Sequence, residues 1–132
     1  MTMLHIAVAM LRNIDGSMLL VRKHGTTAFM QPGGKIEPGE DARAALAREL
    51  DEELGLAVSL ADLDYCGRAE APAANEPDTI VAAEIYSLRI DRAVTVRAEI
   101  AEAVWIDPAA PQDRPLAPLT RDHILPLALA SA

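Results

Sequence analysis

The sequence predicts an α/β fold of the α+β kind, in which a mixed β-sheet is covered on two faces by helices. Two observations carry this expectation. Residues 4–11 are apolar on both alternating faces, with Ile6, Val8 and Met10 set against Ala7 and Ala9, as in a strand buried on two sides. Strand-like runs also lie before and after one amphipathic helical stretch, and a second helical stretch closes the chain, so layers form above and below one sheet. At 132 residues the chain suits one domain over 1–132.

The elements follow in order. NIDG at 13–16 marks a turn, since Asp15 and Gly16 tolerate the backbone angles of a tight hairpin, and 17–23 reads as the returning strand. A loop at 24–28 leads to a short strand at 29–31. Two prolines and three glycines between 32 and 39 predict a shaped loop without regular structure. Residues 41–54 carry a helical pattern, with acidic residues at its start and Gly55 placed to cap its end in the left-handed conformation. Strands at 63–70 and 79–90 flank APAANEPD, where Pro72 and Pro77 should stop pairing. A single helical turn is expected at 99–103 before a short strand at 104–106. Pro108, Pro111, Pro115 and Pro118 then force an extended linker, and Thr120 is placed to cap a final helix that Pro126 should kink or interrupt.

The formal charge of −8 argues against nonspecific attraction to nucleic acid polymers or to anionic membranes, and an anionic substrate would need local cations. Cys66 is the sole cysteine, so an intrachain disulfide is excluded, a reducing cytoplasmic setting is expected, and its natural role is a small buried hydrophobe. The N-terminal run has no basic leader and is broken by Arg12, which supports neither a signal peptide nor a membrane span.

On a helical wheel, Ala42, Ala45, Leu46, Leu50 and Leu54 form one apolar arc, and Glu49, Glu52 and Glu53 overlap its edge. Three like charges at such spacing repel one another and lose solvation unless a cation sits among them. A hard divalent ion accepts these oxygen ligands, and magnesium is the usual choice where phosphate is present. Asp51 lies on the opposite side and reads as surface charge. Gly33 and Gly34 leave the backbone open to a metal or phosphate, and Lys35 adds a cation beside them. Arg48 is spaced to hold one carboxylate in a single rotamer, and Glu40 serves either as a helix cap or in the chemistry.

Gly34, five residues, Glu40, seven residues, Arg48, Glu49, Leu50, one residue, Glu52, Glu53, one residue, Gly55, Leu56 resembles the complete signature of the Nudix hydrolases, with every fixed position filled. The hairpin through Arg22 and Lys23 to PGGK, and the later EIAEAVWID, are similar to small MutT-like members of that family. The resemblance implies an α/β/α sandwich with a mixed sheet and hydrolysis of a nucleoside diphosphate linked to another group, X. It implies magnesium, or manganese, held by Glu49, Glu52 and Glu53 with a main-chain carbonyl of the Gly33–Gly34 turn. It also implies a further glutamate from a later loop, for which Glu102 is the first choice and Glu99 the second.

The reaction expected is attack of water on phosphorus, with Arg48 among the catalytic residues and Glu49 or Glu102 as the base. Lys35, Arg22 and Lys23 are the candidate phosphate contacts, while Trp105 is read as core and His24 as incidental. A small-molecule nucleotide is the partner implied, first a nucleoside triphosphate, oxidised or not, cleaved to monophosphate and pyrophosphate. Pro72, sixteen residues beyond Leu56, is reminiscent of the ADP-ribose pyrophosphatases and supplies the alternative. A noncatalytic nucleotide sensor is the less favoured reading because the carboxylates are intact. Homodimers are common among relatives of this kind.

Overall fold

A computed structural model describes residues 1–111 and 113–130. Six strands form one mixed sheet: β1 (Thr2–Asn13), β2 (Met18–Lys23), β3 (Gly33–Lys35), β4 (Asp64–Pro72), β5 (Thr79–Ile90) and β6 (Ile100–Ile106). The order is β4-β5-β1-β2-β6, with β3 also on β1. The long β1 lies parallel to β5 from Thr2↔Thr79 to Asn13↔Ile90, and the remaining pairings are antiparallel. Helix α1 (Ala42–Leu54) and the C-terminal α2 (Leu125–Ala130) complete the chain, and a 3-10 turn at Leu60–Asp62 precedes β4.

The double alternation of β1 explains the layering. Ala7, Ala9 and Leu11, with Leu19 and Val21 of β2, pack against Leu46, Leu50 and Leu54 of α1. Val8 and Met10, with Met18 and Leu20, pack against Leu119, Ile124, Leu125 and Ala128 at the end of the chain. The sheet is thus buried on both faces, as two-sided apolar strands require. Trp105 packs against the first of these cores and Cys66 against the second. Among the described residues no helix is long and apolar enough to cross a membrane.

Several local expectations are overturned. The hairpin after β1 splays at once: β2 meets β1 only at Arg12↔Met18 and then pairs with β6. The freed edge of β1 is taken by residues expected to be irregular. Gly33–Lys35 pairs with Ile6–Val8 of β1, the Ala9 amide donates to the Pro32 carbonyl at 3.0 Å, and Met30 exchanges hydrogen bonds with Val21. Glycine permits this pairing, because a Cβ on Gly33 would stand 2.1 Å from the Ala7 carbonyl oxygen. The expected strand at 29–31 reduces to isolated bridges at Phe29 and Met30.

Pro72 does not stop pairing but ends β4 opposite Ile80, an edge position where its missing donor costs nothing. The helical turn expected at 99–103 is instead the start of β6, which β2 captures from Lys23↔Ile100 onward. Thr120 is no cap: helical structure already runs through 118–119. Thr120–Ile124 forms a π turn in which the Leu125 amide donates to the Thr120 carbonyl, and this wider turn falls immediately before Pro126. The linker expected at 108–118 includes Gln112, which lies outside the described residues.

Candidate active site

Local signals set α1 in place. The Asp41 side chain, rather than that of Glu40, caps its start by accepting the Ala44 amide, and Gly55 at φ 65° ends it while its amide donates to the Asp51 carbonyl. With Leu46, Leu50 and Leu54 pointing into the core, Glu53 is carried under the sheet beside β3, Glu49 is half-buried and Glu52 stays exposed. The three carboxylates therefore do not share one environment, as the helical wheel had implied. One residue of separation turns Glu52 about 100° away from Glu53.

Glu53 is 1% exposed. Its Oε1 accepts the Gly33 amide at 3.1 Å, and among the described residues its Oε2 has no partner. Burial pushes its pKa up to about 8, against the pull of the Gly33 hydrogen bond, and nearby Glu49 adds to the rise. Burial likewise raises Glu49, with Arg48 opposing and Glu52 adding a smaller upward push. Gly34 makes room for this carboxylate, since a Cβ there would lie 2.5 Å from Glu49 Oε1.

Arg48 ties the loop to the helix. Its Nε and Nη2 donate to the two oxygens of Glu40 at 2.8 and 2.9 Å, its Nη1 to Glu49 Oε1 at 3.1 Å, and its Nη2 also to the Lys35 carbonyl at 3.1 Å. The guanidinium holds the Glu40 carboxyl down at about 2, and Glu40 also accepts the Glu37 amide.

The third carboxylate near Glu49 and Glu53 is Glu99, and one oxygen from each of the three lies within 4.8 Å of the others. A clamped turn presents it. The Arg97 amide donates to the Glu53 carbonyl, the Thr95 amide to the Leu54 carbonyl, and the His24 amide to the Glu99 carbonyl. Ala98, inside this turn, has φ 53°, uncommon for a residue with a side chain.

Glu102, the first choice from the sequence, is not brought into this group. It stands opposite Arg22 in the β2–β6 register, and Arg22 Nε donates to it at 2.8 Å. Reading 99–103 as helical hid this difference, because only strand pairing shows that Glu102 meets a cation while Glu99 sits on the turn before the strand. Lys23 Nζ lies 3.4 Å from Glu99, and Glu52 is 3.6 Å from Arg48 Nη1. Lys23, Lys35, Gly33, Gly34 and Glu53 all line one cavity, and Arg22 is not among its lining residues.

A cluster of half-buried and buried carboxylates with an unpartnered oxygen is suited to a hard divalent cation. The two lysines that line the cavity beside the glycines suit phosphate. Four further polar residues line the cavity, Gln31, Asn75, Glu76 and Thr120, and none of them carried a motif signal; the pairing of Gln31 with Thr120 is revealed only by the folding of residue 31 against residue 120.

Comparison with known proteins agrees with this geometry. The NUDIX domain family model matches residues 1–127. An octanoyltransferase of Myxococcus xanthus is 37% identical over 106 residues, 77% of this chain and 29% of that protein. The 8-oxo-dGTP diphosphatase of Escherichia coli is 40% identical over 60 residues, 42% of this chain and 46% of that protein. The chain thus spans less than half the length of these curated relatives. Among solved structures, a MutT NUDIX hydrolase from Burkholderia pseudomallei superposes with a TM-score of 0.76 at 20% identity, covering 98% of each chain, which shows a shared fold.

Proposed function

The chain belongs to the NUDIX domain family, and on that premise we propose that it hydrolyses a pyrophosphate bond in a nucleoside diphosphate linked to X. The favoured substrate is a nucleoside triphosphate, ordinary or oxidised, cleaved to monophosphate and pyrophosphate. The observation that carries this reading is Glu53 Oε2, a buried carboxylate oxygen without a partner beside Glu49 and Glu99. Such an atom is costly to leave bare, and a cation relieves the cost.

Members of the family generally use divalent metal ions. We assign magnesium, with manganese as the alternative, to Glu49, Glu53 and Glu99, with the Gly33–Gly34 turn alongside. When bound, the cation supplies neutralisation of the polyphosphate and Lewis acidity toward phosphorus. The chain's own residues do the rest. Arg48 holds Glu49 by Oε1 and so fixes where the other oxygen points, either onto the cation or, when Glu53 and Glu99 carry it, onto the attacking water as its base. Glu52 adds negative charge beside the cluster. Lys35 and Lys23, both lining the cavity, contact phosphate, while Arg22 is engaged by Glu102 and orders the strand pair beside them.

A purified-protein screen tests this: nucleoside triphosphates, oxidised and not, ADP-ribose and nucleotide sugars, with magnesium or with chelator, products read by mass. Monophosphate and pyrophosphate appearing only with the metal support the reading. Pro72 lines the same cavity, which favours ADP-ribose as the second substrate to try. Nucleotide binding without turnover would make the chain a sensor instead.

A further inference from the structure

The cavity that receives Glu53 has largely aliphatic walls, including Ile6, Val8, Val21 and Leu119, and among the described residues no aromatic ring lines it. Set into that wall is a polar pair from distant parts of the chain. The Thr120 hydroxyl donates to Gln31 Oε1 at 2.6 Å, and the two residues are 1% and 4% exposed. A buried amide in an apolar wall costs free energy unless its groups are hydrogen-bonded. Here the compensation is incomplete. Oε1 is taken by Thr120, whereas among the described residues Nε2 meets only the Met18 thioether at 3.8 Å, a weak acceptor for one of its two N–H groups. The opposite orientation of the amide would set its carbonyl against that sulfur, acceptor against acceptor. Gln31 thus lines the cavity with one amide N–H that has no strong acceptor.

Resting on the nucleotide reading above, we propose that Gln31 is the specificity-determining residue for the base and that Thr120 is its positioning residue. The pair selects a ring carrying a carbonyl oxygen at its buried edge over one carrying an amine there. The carbonyl gives Nε2 its missing partner; an amine sets donor against donor and leaves both unpaired in an apolar site. Glu53, Lys23 and Lys35 line the same cavity, so one ligand can reach from the amide to the carboxylate cluster.

Inosine and adenosine triphosphates test the proposal, because at the six position they exchange a carbonyl for an amine. Magnesium-dependent turnover of both is measured for the wild type and for Gln31→Leu, Thr120→Val and Thr120→Ser, together with binding of the two monophosphates. The wild type should favour inosine by about tenfold or more in kcat/KM, the difference residing in KM and repeated in monophosphate affinity. Thr120→Val frees the amide to turn, so the preference should fall toward one, as in Gln31→Leu, while Thr120→Ser should keep it. Should Gln31→Leu fail to fold, the valine and serine variants at 120 carry the test. A wild type that favours adenosine, or a preference that survives in folded Thr120→Val, overturns the assignment of Gln31 and leaves the hydrolase reading standing. No turnover of any nucleotide by the wild type overturns both.

Discussion

Glu53 spends one oxygen on the Gly33 amide and, among the described residues, leaves the other bare, so a cation at the proposed site should act on it directly. Replacing it with glutamine keeps the shape and the bond to Gly33 while removing the capacity to present an anionic oxygen to a cation. Glu53→Gln should melt within a few degrees of wild type in chelator, lose the rise in melting temperature that magnesium gives the wild type, and lower turnover by about a hundredfold or more. Thermal melts with and without magnesium check the first two, and a product assay checks the third. Glu40 acts differently, since its partner is already in place. Its folded pKa of about 2 lies below the ordinary 4.5, so its contribution to stability is full above about 4.5 and is lost as pH falls toward 2. The melting temperature of wild type should therefore exceed that of Glu40→Gln at pH 6, and the gap should close by pH 2.

At the scale of elements, the decisive contact is β3 lying against β1. Gly33→Ala drives a Cβ into the Ala7 carbonyl at a backbone φ of 147°, whereas Gly16, at φ 88°, faces open space. Gly33→Ala should cost about 2–4 kcal/mol and Gly16→Ala about 1 kcal/mol, read from urea midpoints at unchanged slope. This contact also marks where sequence reading stops. Helix α1 was legible to within a residue because its signals are local: the acidic cap, the leucine stripe, the glycine at its end. The elements β3 and β6 were not, since each exists only through a partner far along the chain. Glycines at 33 and 34 read locally as a break, yet they let two backbones meet. The residues 99–103 carry a passable helical pattern, yet β2, left unpaired by the splayed hairpin, recruits them. The candidate site divides the same way: the placing of Glu49 and Glu53 followed from α1, while the geometry that sets Glu99 rather than Glu102 beside them shows only in the β2–β6 register.

Across the whole molecule, the two faces of the sheet have separate tasks. The α1 face carries the carboxylates; the other face carries the C-terminal helix, whose end is held by Arg12 donating to the Ala128 carbonyl. Ile124 is fully buried on that second face. Ile124→Ala should destabilise by about 2–5 kcal/mol, yet magnesium should still raise the melting temperature of the variant by as much as it raises that of wild type. Calorimetric scans of both proteins, with and without the ion, decide this. The shared edge of β1 has one more consequence, for motion. A ligand-binding loop is commonly among the first segments to open, but in the segment proposed here to lie beside phosphate the Ile36 amide is bonded to His5, the Ala9 amide to Pro32 and the Gly33 amide to Glu53. In deuterium exchange these amides should rank with the slowest of the core, because this segment opens only if the middle of the sheet unravels with it.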